Sequence, residues 1–457
     1  MANRSRDRRS AETLLRGLGH LSLWTLLVVA PFVVVATAAD IFRLPKLLAA
    51  EWLGLLSLLF YALAAALAPE AARPAPAERP LPWWRRPAVL ATAPVVAVAS
   101  LGLVAPEHPE HTREALPDLW IAAACLVGWS LAVDAERLGR LLRWLVLPAA
   151  LMALLAVLQF HGLFQPFGFV GGLESGRLGV TSLAGNAGDL AAYLVLPALA
   201  AQWGLLRSLL GGPGRRRSRR WTRAALWAGA LAVVVYGALA AQSLTPAAAL
   251  LAGSAVFWLA ALPARRALAA AALAVVLLGA LVAAVAPLRE RIGGAAGLLA
   301  RGEVNAALTG RLDGWYAALW MVWEHPWRGV GHGAYRAEFA PAKLELQEQG
   351  VELFAGHVDP FFANAHNDFL EAAAEWGLPG AAALLWGLWV LGRSLIAEGA
   401  RPGTAAERSS RAFAWAAAAA VTLLALGQFP FHLALVAYPY LVFRAWVVRR
   451  AEPEASR

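Results

Sequence analysis

The chain has 457 residues, of which 60% are hydrophobic and only 15% charged, and its mean hydropathy is +0.56. This excludes a soluble domain of such length: a bilayer core of about 30 Å needs roughly 20 apolar residues per helix, and windows of that kind recur along the chain. The formal net charge of +10 does not point to nucleic acid, because the basic residues sit between apolar runs, where they act as orientation signals.

In chain order the apolar runs predict an all-α integral membrane protein of about 12 transmembrane helices. They lie near residues 21–39, 47–68, 87–104, 119–133, 141–160, 188–206, 222–241, 246–262, 267–286, 376–396, 412–427 and 430–448. No small-x-small cleavage site follows the first run, which is read as a membrane helix and not as a cleaved signal. Cys125 is the single cysteine, so no intrachain disulfide and no Cys-based metal site is expected. With a cytoplasmic N-terminus, the inside segments hold Arg4, Arg6, Arg8, Arg9, Arg16, Arg85, Arg86, Arg137, Arg140, Arg143, the run Arg215 to Arg220, Arg265, Arg266, Arg401, Arg449 and Arg450. The short outside loops hold little beyond Arg43, Lys46, Arg113 and Arg177. This asymmetry places both termini inside and the segments 161–187 and 287–375 outside.

The organisation expected is therefore residues 1–286 as the first nine helices, 287–375 as a large periplasmic loop subdomain, and 376–457 as the last helices and tail. Gly185-Asn186-Ala187-Gly188-Asp189 starts the helix after the first long loop. Within the second, Arg311 to Glu324 has helical character, with Trp315, Leu319 and Val322 on one side; Trp320, Trp323 and Trp327 suit a headgroup layer. His325-Pro326 ends that helix, and Gly329-Val330-Gly331-His332-Gly333 makes a tight turn. That turn lacks the following Lys-Ser/Thr of a phosphate loop.

The stretch from Ala365 to Gly380 leads into an apolar helix. At helical spacing His366, Leu370, Ala373, Gly377 and Gly380 share one face, with an imidazole above a stripe of small residues that another helix can approach. His366-Asn367 has a plain alternative as a helix cap. Ionisable groups next to an apolar layer are candidates for function, and on the outer side these are Arg177, Arg311, His366, Asp368, Glu371 and Glu375. The two glutamates share a helix face and suit solvation or pairing with a loop arginine. Arg177 and Arg311 could anchor the loops at the interface. Together with a histidine they suggest an anionic, diphosphate-like ligand, since a guanidinium stays charged and its fork matches phosphate oxygens. No Asp/His cluster with metal-ligand spacing accompanies them, so neither a metal nor a cofactor is expected.

These residues resemble the bacterial O-antigen ligase and O-antigen polymerase superfamily of multi-spanning membrane glycosyltransferases. The signature of a His, a small polar residue and two spaced glycines is met by His366, Asn367, Gly377 and Gly380. Gly310-Arg311-Leu312-Asp313-Gly314-Trp315, continuing to Pro326-Trp327-Arg328-Gly329-Val330-Gly331, is similar to the family's Arg and Trp pattern before a Gly-rich turn. Arg177 with Gly179, Thr181 and Asn186 is similar to its earlier loop, where Ala187 replaces a proline. The resemblance implies a lipid-phosphosugar glycosyltransferase (GT-C-like) architecture in the bacterial inner membrane, active site facing the periplasm. It implies metal-independent transfer of a glycan from undecaprenyl diphosphate to a lipid A core sugar or another hydroxyl acceptor. His366 would be the general base, Arg177, Arg311 and Asn367 would bind substrate, and Gly331, Gly377 and Gly380 would be structural. A polymerase, with a second lipid-linked repeat as acceptor, and a protein O-oligosaccharyltransferase remain alternatives within the class. A polysaccharide transporter or flippase should cluster its polar residues mid-membrane, whereas these lie in outside loops.

Overall fold

The computed structural model describes residues 2–68, 82–104, 108–167, 179–211, 217–354, 362–401 and 403–452. Arg177 and the Pro/Ala-rich stretch 69–81 lie outside them. Seventeen α-helices follow one another: α1 (Ala2–Val28), α2 (Arg43–Leu67), α3 (Pro87–Leu101), α4 (Pro109–Ala132), α5 (Ala135–Trp144), α6 (Val146–Phe160), α7 (Ala187–Leu210), α8 (Arg217–Ala240) and α9 (Leu244–Ala261), then α10 (Ala264–Ala284), α11 (Ala286–Ala300), α12 (Val304–Ala307), α13 (Arg311–Glu324), α14 (Tyr335–Glu348), α15 (Asp368–Gly399), α16 (Ala405–Gly427) and α17 (Ala434–Ala451). No strand occurs among the described residues.

Nine helices among the described residues are long and apolar enough to cross a membrane, with α1 running on to Phe32 and α5 and α6 joined into one such stretch. The other three expected stretches lie on α3, 15 residues long, on α10, and on α17, whose 18 residues include Arg444, Arg449 and Arg450. In α7, 94% of the most apolar stretch is buried inside the protein, against 28–56% in the other candidate spans, so α7 is the axis of the bundle. Its neighbours are α5, α6, α8, α9, α16 and α17. Lipid is as apolar as a leucine side chain, so helices in it associate where small residues bring backbones close. A Cβ on Gly204 of α7 would stand 2.5 Å from the Trp227 ring of α8, one on Gly237 of α8 would stand 2.6 Å from Ala153, and one on Gly253 of α9 would stand 2.9 Å from Ala420.

The two ends of the bundle differ. At one end Trp203 stacks on Phe413 at 4.8 Å, Arg143 and Arg207 lie over Trp203, and Glu398 accepts from Arg450. Glu452 accepts from Arg86 and Arg449, again at that end. At the other end the N-termini of α2, α7 and α15 meet the α16–α17 turn, as shown by Arg43 against Asp189, Gly188 against Gln428, and His432 against Glu371. Arginine thus accumulates at the end holding the chain termini.

The described part of the segment 287–375 is built on helices α11 to α14 and the start of α15. Ala317, Ala318 and Met321 of α13, Tyr335, Phe339 and Ala342 of α14, and Ala365 and Ala374 share one small core, which fastens the loop subdomain to the start of α15. Asp313 is 1% exposed and accepts from Asn305 Nδ2 at 2.7 Å and from the Phe354 amide at 2.9 Å, with Lys343 Nζ at 3.5 Å. Trp323 and Trp327 keep 81% and 74% of their surface exposed, as residues meant for a headgroup layer would. Gln347 on the loop subdomain and Ser218 at the opposite end are both exposed. With the buried Cys125 first replaced by Ala, Gln347→Cys should react with an impermeant thiol reagent in intact spheroplasts and Ser218→Cys should not. Labelling of the second alone would reverse the orientation.

Candidate active site

Helix α15 starts one residue later than the His-Asn pair suggests and is broken once. Asn367 is its N-cap, with Oδ1 accepting from the Phe369 and Leu370 amides at 3.1 Å each. His366 precedes the cap with φ of 54°, a left-handed backbone that costs a residue other than glycine about 1–3 kcal/mol unless its surroundings hold it. The expected stripe from His366 to Gly380 is therefore not continuous: His366 lies off the helix, and Gly377 departs from helical geometry at φ 67°, ψ −172°. The capping half of the pair is Asn367, whose Oδ1 is thereby occupied, leaving its Nδ2 donors for any ligand.

The break at Gly377 has a chemical cause. Pro379 carries no N–H, so the Glu375 carbonyl loses its helical donor. Gly331 N–H supplies one at 3.0 Å, Val330 N–H bonds the Ala374 carbonyl at 3.0 Å, and Leu378 N–H turns to the Pro326 carbonyl at 2.7 Å. The Gly-rich turn thus spends its amides on α15. A Cβ on Gly377 would stand 2.8 Å from the Pro326 carbonyl oxygen, and one on Gly329 would stand 2.3 Å from the Glu375 backbone. These close approaches leave no room for a side chain at Gly377 or Gly329, and Gly331 between them turns at φ of 104°. Gly380 lies against its own helix, where a Cβ would meet Trp376.

The two glutamates depart from expectation. Neither is solvated or paired with an arginine. Glu371, 2% exposed, accepts from Asn364 Nδ2 at 2.9 Å and from the Ala365 amide at 2.7 Å, which fixes the residue before His366. Glu375, 3% exposed, faces His332 Nδ1 at 3.0 Å and the Tyr335 amide at 3.4 Å. From the other side Gly314 of α13 lets its helix approach the Ala365 carbonyl, and Tyr335 Oη donates to the Gly314 carbonyl at 2.9 Å.

The His366 ring is held edge-on between Phe362 at 5.0 Å and Phe429 at 4.9 Å, and its buried Nδ1 has no hydrogen-bond partner. Burial, followed by the charges of Arg311 and then Arg43, pulls its pKa down to about 3. It is therefore neutral throughout the physiological range. Arg311, the first residue of α13, makes no ion pair among the described residues. Its buried Nε has no partner, and its Nη1 makes a long hydrogen bond, 3.4 Å, to the Leu308 carbonyl. Arg43 lies 5.4 Å over the Phe429 ring and gives its Nε to Asp189 at 2.7 Å. The charges that bear on His366 are thus those of Arg311 and Arg43, while Arg177 falls outside the described residues.

The sequence reading missed a third group. His432, in the α16–α17 turn, lies 3.1 Å from Glu371 Oε1 and 3.7 Å from Asp368 Oδ1. Burial works against its charged form, but Glu371, Asp368 and Glu375 outweigh it and raise its pKa. Its side chain is 39% exposed, and this surface faces a cavity of about 220 Å³ that Arg43, Lys46 and Asp189 also line. Ligand atoms of Asp368, Glu371 and His432 lie within 4.8 Å of one another, a grouping that no spacing in the sequence announced. Their ion-pair distances and the raised imidazole pKa fit an imidazolium beside Glu371 and Asp368, and a metal would have to displace that proton.

Residues 229–385 match the family model described as O-antigen ligase. No curated protein matches the chain. The matched stretch runs from α8 through the loop subdomain and across the break in α15, and so includes Arg311, Gly331, His366, Asn367, Gly377 and Gly380.

Two measurements follow from this geometry. Gly377→Ala should lower the thermal stability of the purified protein by about 2 kcal/mol or more, because its backbone angles are nearly exclusive to glycine, whereas Asn367→Ala should cost about 1 kcal/mol. His432 has a raised folded-state pKa, so its ion pair is fully stabilising below about 6.5 and fades as pH rises through the raised value. The stability gap between the protein and its His432→Gln variant should be wide at pH 6 and narrow at pH 9; a gap independent of pH would contradict the imidazolium assignment. With nine apolar helices among its described residues and this match, the chain is a multi-pass membrane protein whose residues 229–385 resemble the O-antigen ligase family.

Proposed function

We propose that the protein is a metal-independent glycosyltransferase of the O-antigen ligase type, which moves a glycan from undecaprenyl diphosphate to a lipid A core hydroxyl at the periplasmic face of the inner membrane. The observation that carries this reading is the presence of two unsatisfied groups within the matched stretch. Arg311 has a half-buried guanidinium without a carboxylate, and His366 has a buried imidazole nitrogen without a partner. A buried guanidinium without a counter-ion is costly unless an anion joins it. Diphosphate is such an anion, and its departure from the anomeric carbon needs charge neutralisation more than protonation.

In the proposed reaction the acceptor O–H gives its proton to His366 as the oxygen attacks the anomeric carbon. The bond from that carbon to the diphosphate oxygen breaks, and undecaprenyl diphosphate leaves under the charge of Arg311, with Arg177 as the second expected contact. Arg311 and Arg43 hold down the basicity of His366 in the empty site. A bound diphosphate offsets those charges, so donor binding itself makes His366 a stronger base. The neutral free imidazole also predicts that kcat/KM for donor shows no acid-side limb from His366 above about pH 4.

His366→Asn tests the base directly. Asparagine tolerates the left-handed backbone better than most residues, and Asn367 retains the cap, so the variant should fold. Turnover should nevertheless fall by about 10²- to 10⁴-fold, measured as transfer from undecaprenyl-diphosphate-linked glycan in proteoliposomes. Normal transfer at equal abundance would remove His366 from the chemistry. Arg311→Lys should rescue poorly, because a point charge replaces a planar fork. In a deletion strain, polymer accumulating on its lipid carrier indicates a ligase, while single repeats capped on core indicate a polymerase.

A further inference from the structure

The left-handed backbone of His366, at φ 54°, persists only where its surroundings hold it. The contacts that hold it converge on Glu371, one turn into α15. Asn364 Nδ2 donates to Glu371 Oε1 at 2.9 Å and the Ala365 amide donates to Oε2 at 2.7 Å, both from the chain just before His366. His432 Nε2 stands 3.1 Å from Oε1 on the other side. With His432 as an imidazolium, three donors meet the two oxygens of a side chain only 2% exposed, an arrangement that suits a carboxylate and leaves an added proton facing donors. The turn that brings His432 also sets Phe429 against the His366 ring at 4.9 Å, and its Phe431 amide donates to Asp368 Oδ2 at 3.2 Å. A carboxylate at this point is not needed to cap the helix, since Asn367 already accepts from the Phe369 and Leu370 amides. Its bonds go instead to residues outside α15.

We propose that Glu371 is the positioning residue of the general base: backed by His432, it fixes the segment Asn364-Ala365 from which His366 presents its ring. The inference rests on His366 being the base and adds what aims it. The chain is pinned on both sides of His366, at Ala365 by Glu371 and at Asn367 by the cap, and the ring is wedged between Phe362 and Phe429. A base must stand within hydrogen-bond reach of the acceptor hydroxyl, and a misplacement of about 1 Å costs on the order of 10²-fold in rate. Glutamine at 371 keeps the size of the side chain but turns an NH₂ group toward one of the three donors. Either the Ala365 amide or the pair Asn364 and His432 then loses its acceptor, and the His366 backbone is released from its strained conformation. Helical spacing alone assigned Glu371 to a solvated face, because the residues that donate to it lie in a loop and in a turn 61 positions further along the chain.

The test is a double-mutant cycle on the full-length protein in proteoliposomes, with undecaprenyl-diphosphate-linked glycan as donor, for wild type, Glu371→Gln, His366→Asn and the double variant. Glu371→Gln should lower kcat by about 10- to 100-fold and leave KM for the donor within about twofold. In the His366→Asn background the same substitution should change the residual rate by less than about twofold, because no base remains to be misplaced. His432→Leu should share the loss in kcat, and His432→Gln, which keeps an N–H donor, should recover part of it. Abundance and unfolding temperature are measured alongside. Should Glu371→Gln fail to fold, His432→Leu takes its place in the cycle, since that side chain is 39% exposed. An equal loss in both backgrounds, or a wild-type kcat for folded Glu371→Gln, overturns the positioning role while leaving His366 as the base. Wild-type turnover by His366→Asn overturns both.

Discussion

Helix α15 cannot pass through Gly377-Leu378-Pro379 with its carbonyls satisfied, and the placement of the site depends on how the chain resolves this. The amides of Val330 and Gly331 bond the Ala374 and Glu375 carbonyls, while the Leu378 amide bonds the Pro326 carbonyl. A helix interruption in a membrane protein is tolerated when protein groups satisfy the freed backbone, and here those groups belong to the loop subdomain. The bonds therefore do two things. They complete the break, and they lock α13 and α14 onto the first turns of α15. Gly314 packed on the Ala365 carbonyl and Asp313 binding three segments extend that lock to Arg311.

Charges at the end of the bundle where α2, α7 and α15 begin are arranged in two manners. His432 lies at ion-pair distance from Glu371 and Asp368, Arg43 donates to Asp189, and both groups line or back the same cavity. Among the described residues Arg311 has no carboxylate and His366 has no partner for Nδ1. The paired groups hold the turn and helix ends in place, and the unpaired ones have bonding capacity left for a ligand. The difference also separates the two histidines, since carboxylates raise the pKa of one while burial, followed by the arginines, holds the other neutral. Environments that divide like groups in this way are a mark of sites that move protons.

Much of this was legible in the sequence. The run from Arg311 to Glu324 is the helix α13, ended at His325-Pro326 as its residues suggest, and Asn186 caps α7 with Oδ1 accepting from the Gly188 amide at 2.7 Å. Local chemistry decides such features, so they can be read locally. What escaped was set by distance along the chain. His432 reaches Glu371 only after α15 and α16 have folded back, and Arg43 reaches Asp189 from the start of the second helix. Glu371 and Glu375 looked like an exposed pair because helical spacing says which residues share a face and not what covers it. The break at Gly377 had a local signal in Gly-Leu-Pro, but the helical stripe was drawn through it.

The central claim is that the site of His366 and Arg311 binds a lipid-linked diphosphate. Cryo-electron microscopy of the protein in nanodiscs with undecaprenyl diphosphate tests it most directly. The account predicts diphosphate density at the Arg311 guanidinium. Diphosphate bound instead at the arginine-rich end of the bundle, near Arg143 and Arg207, with the His366 site empty, would contradict it.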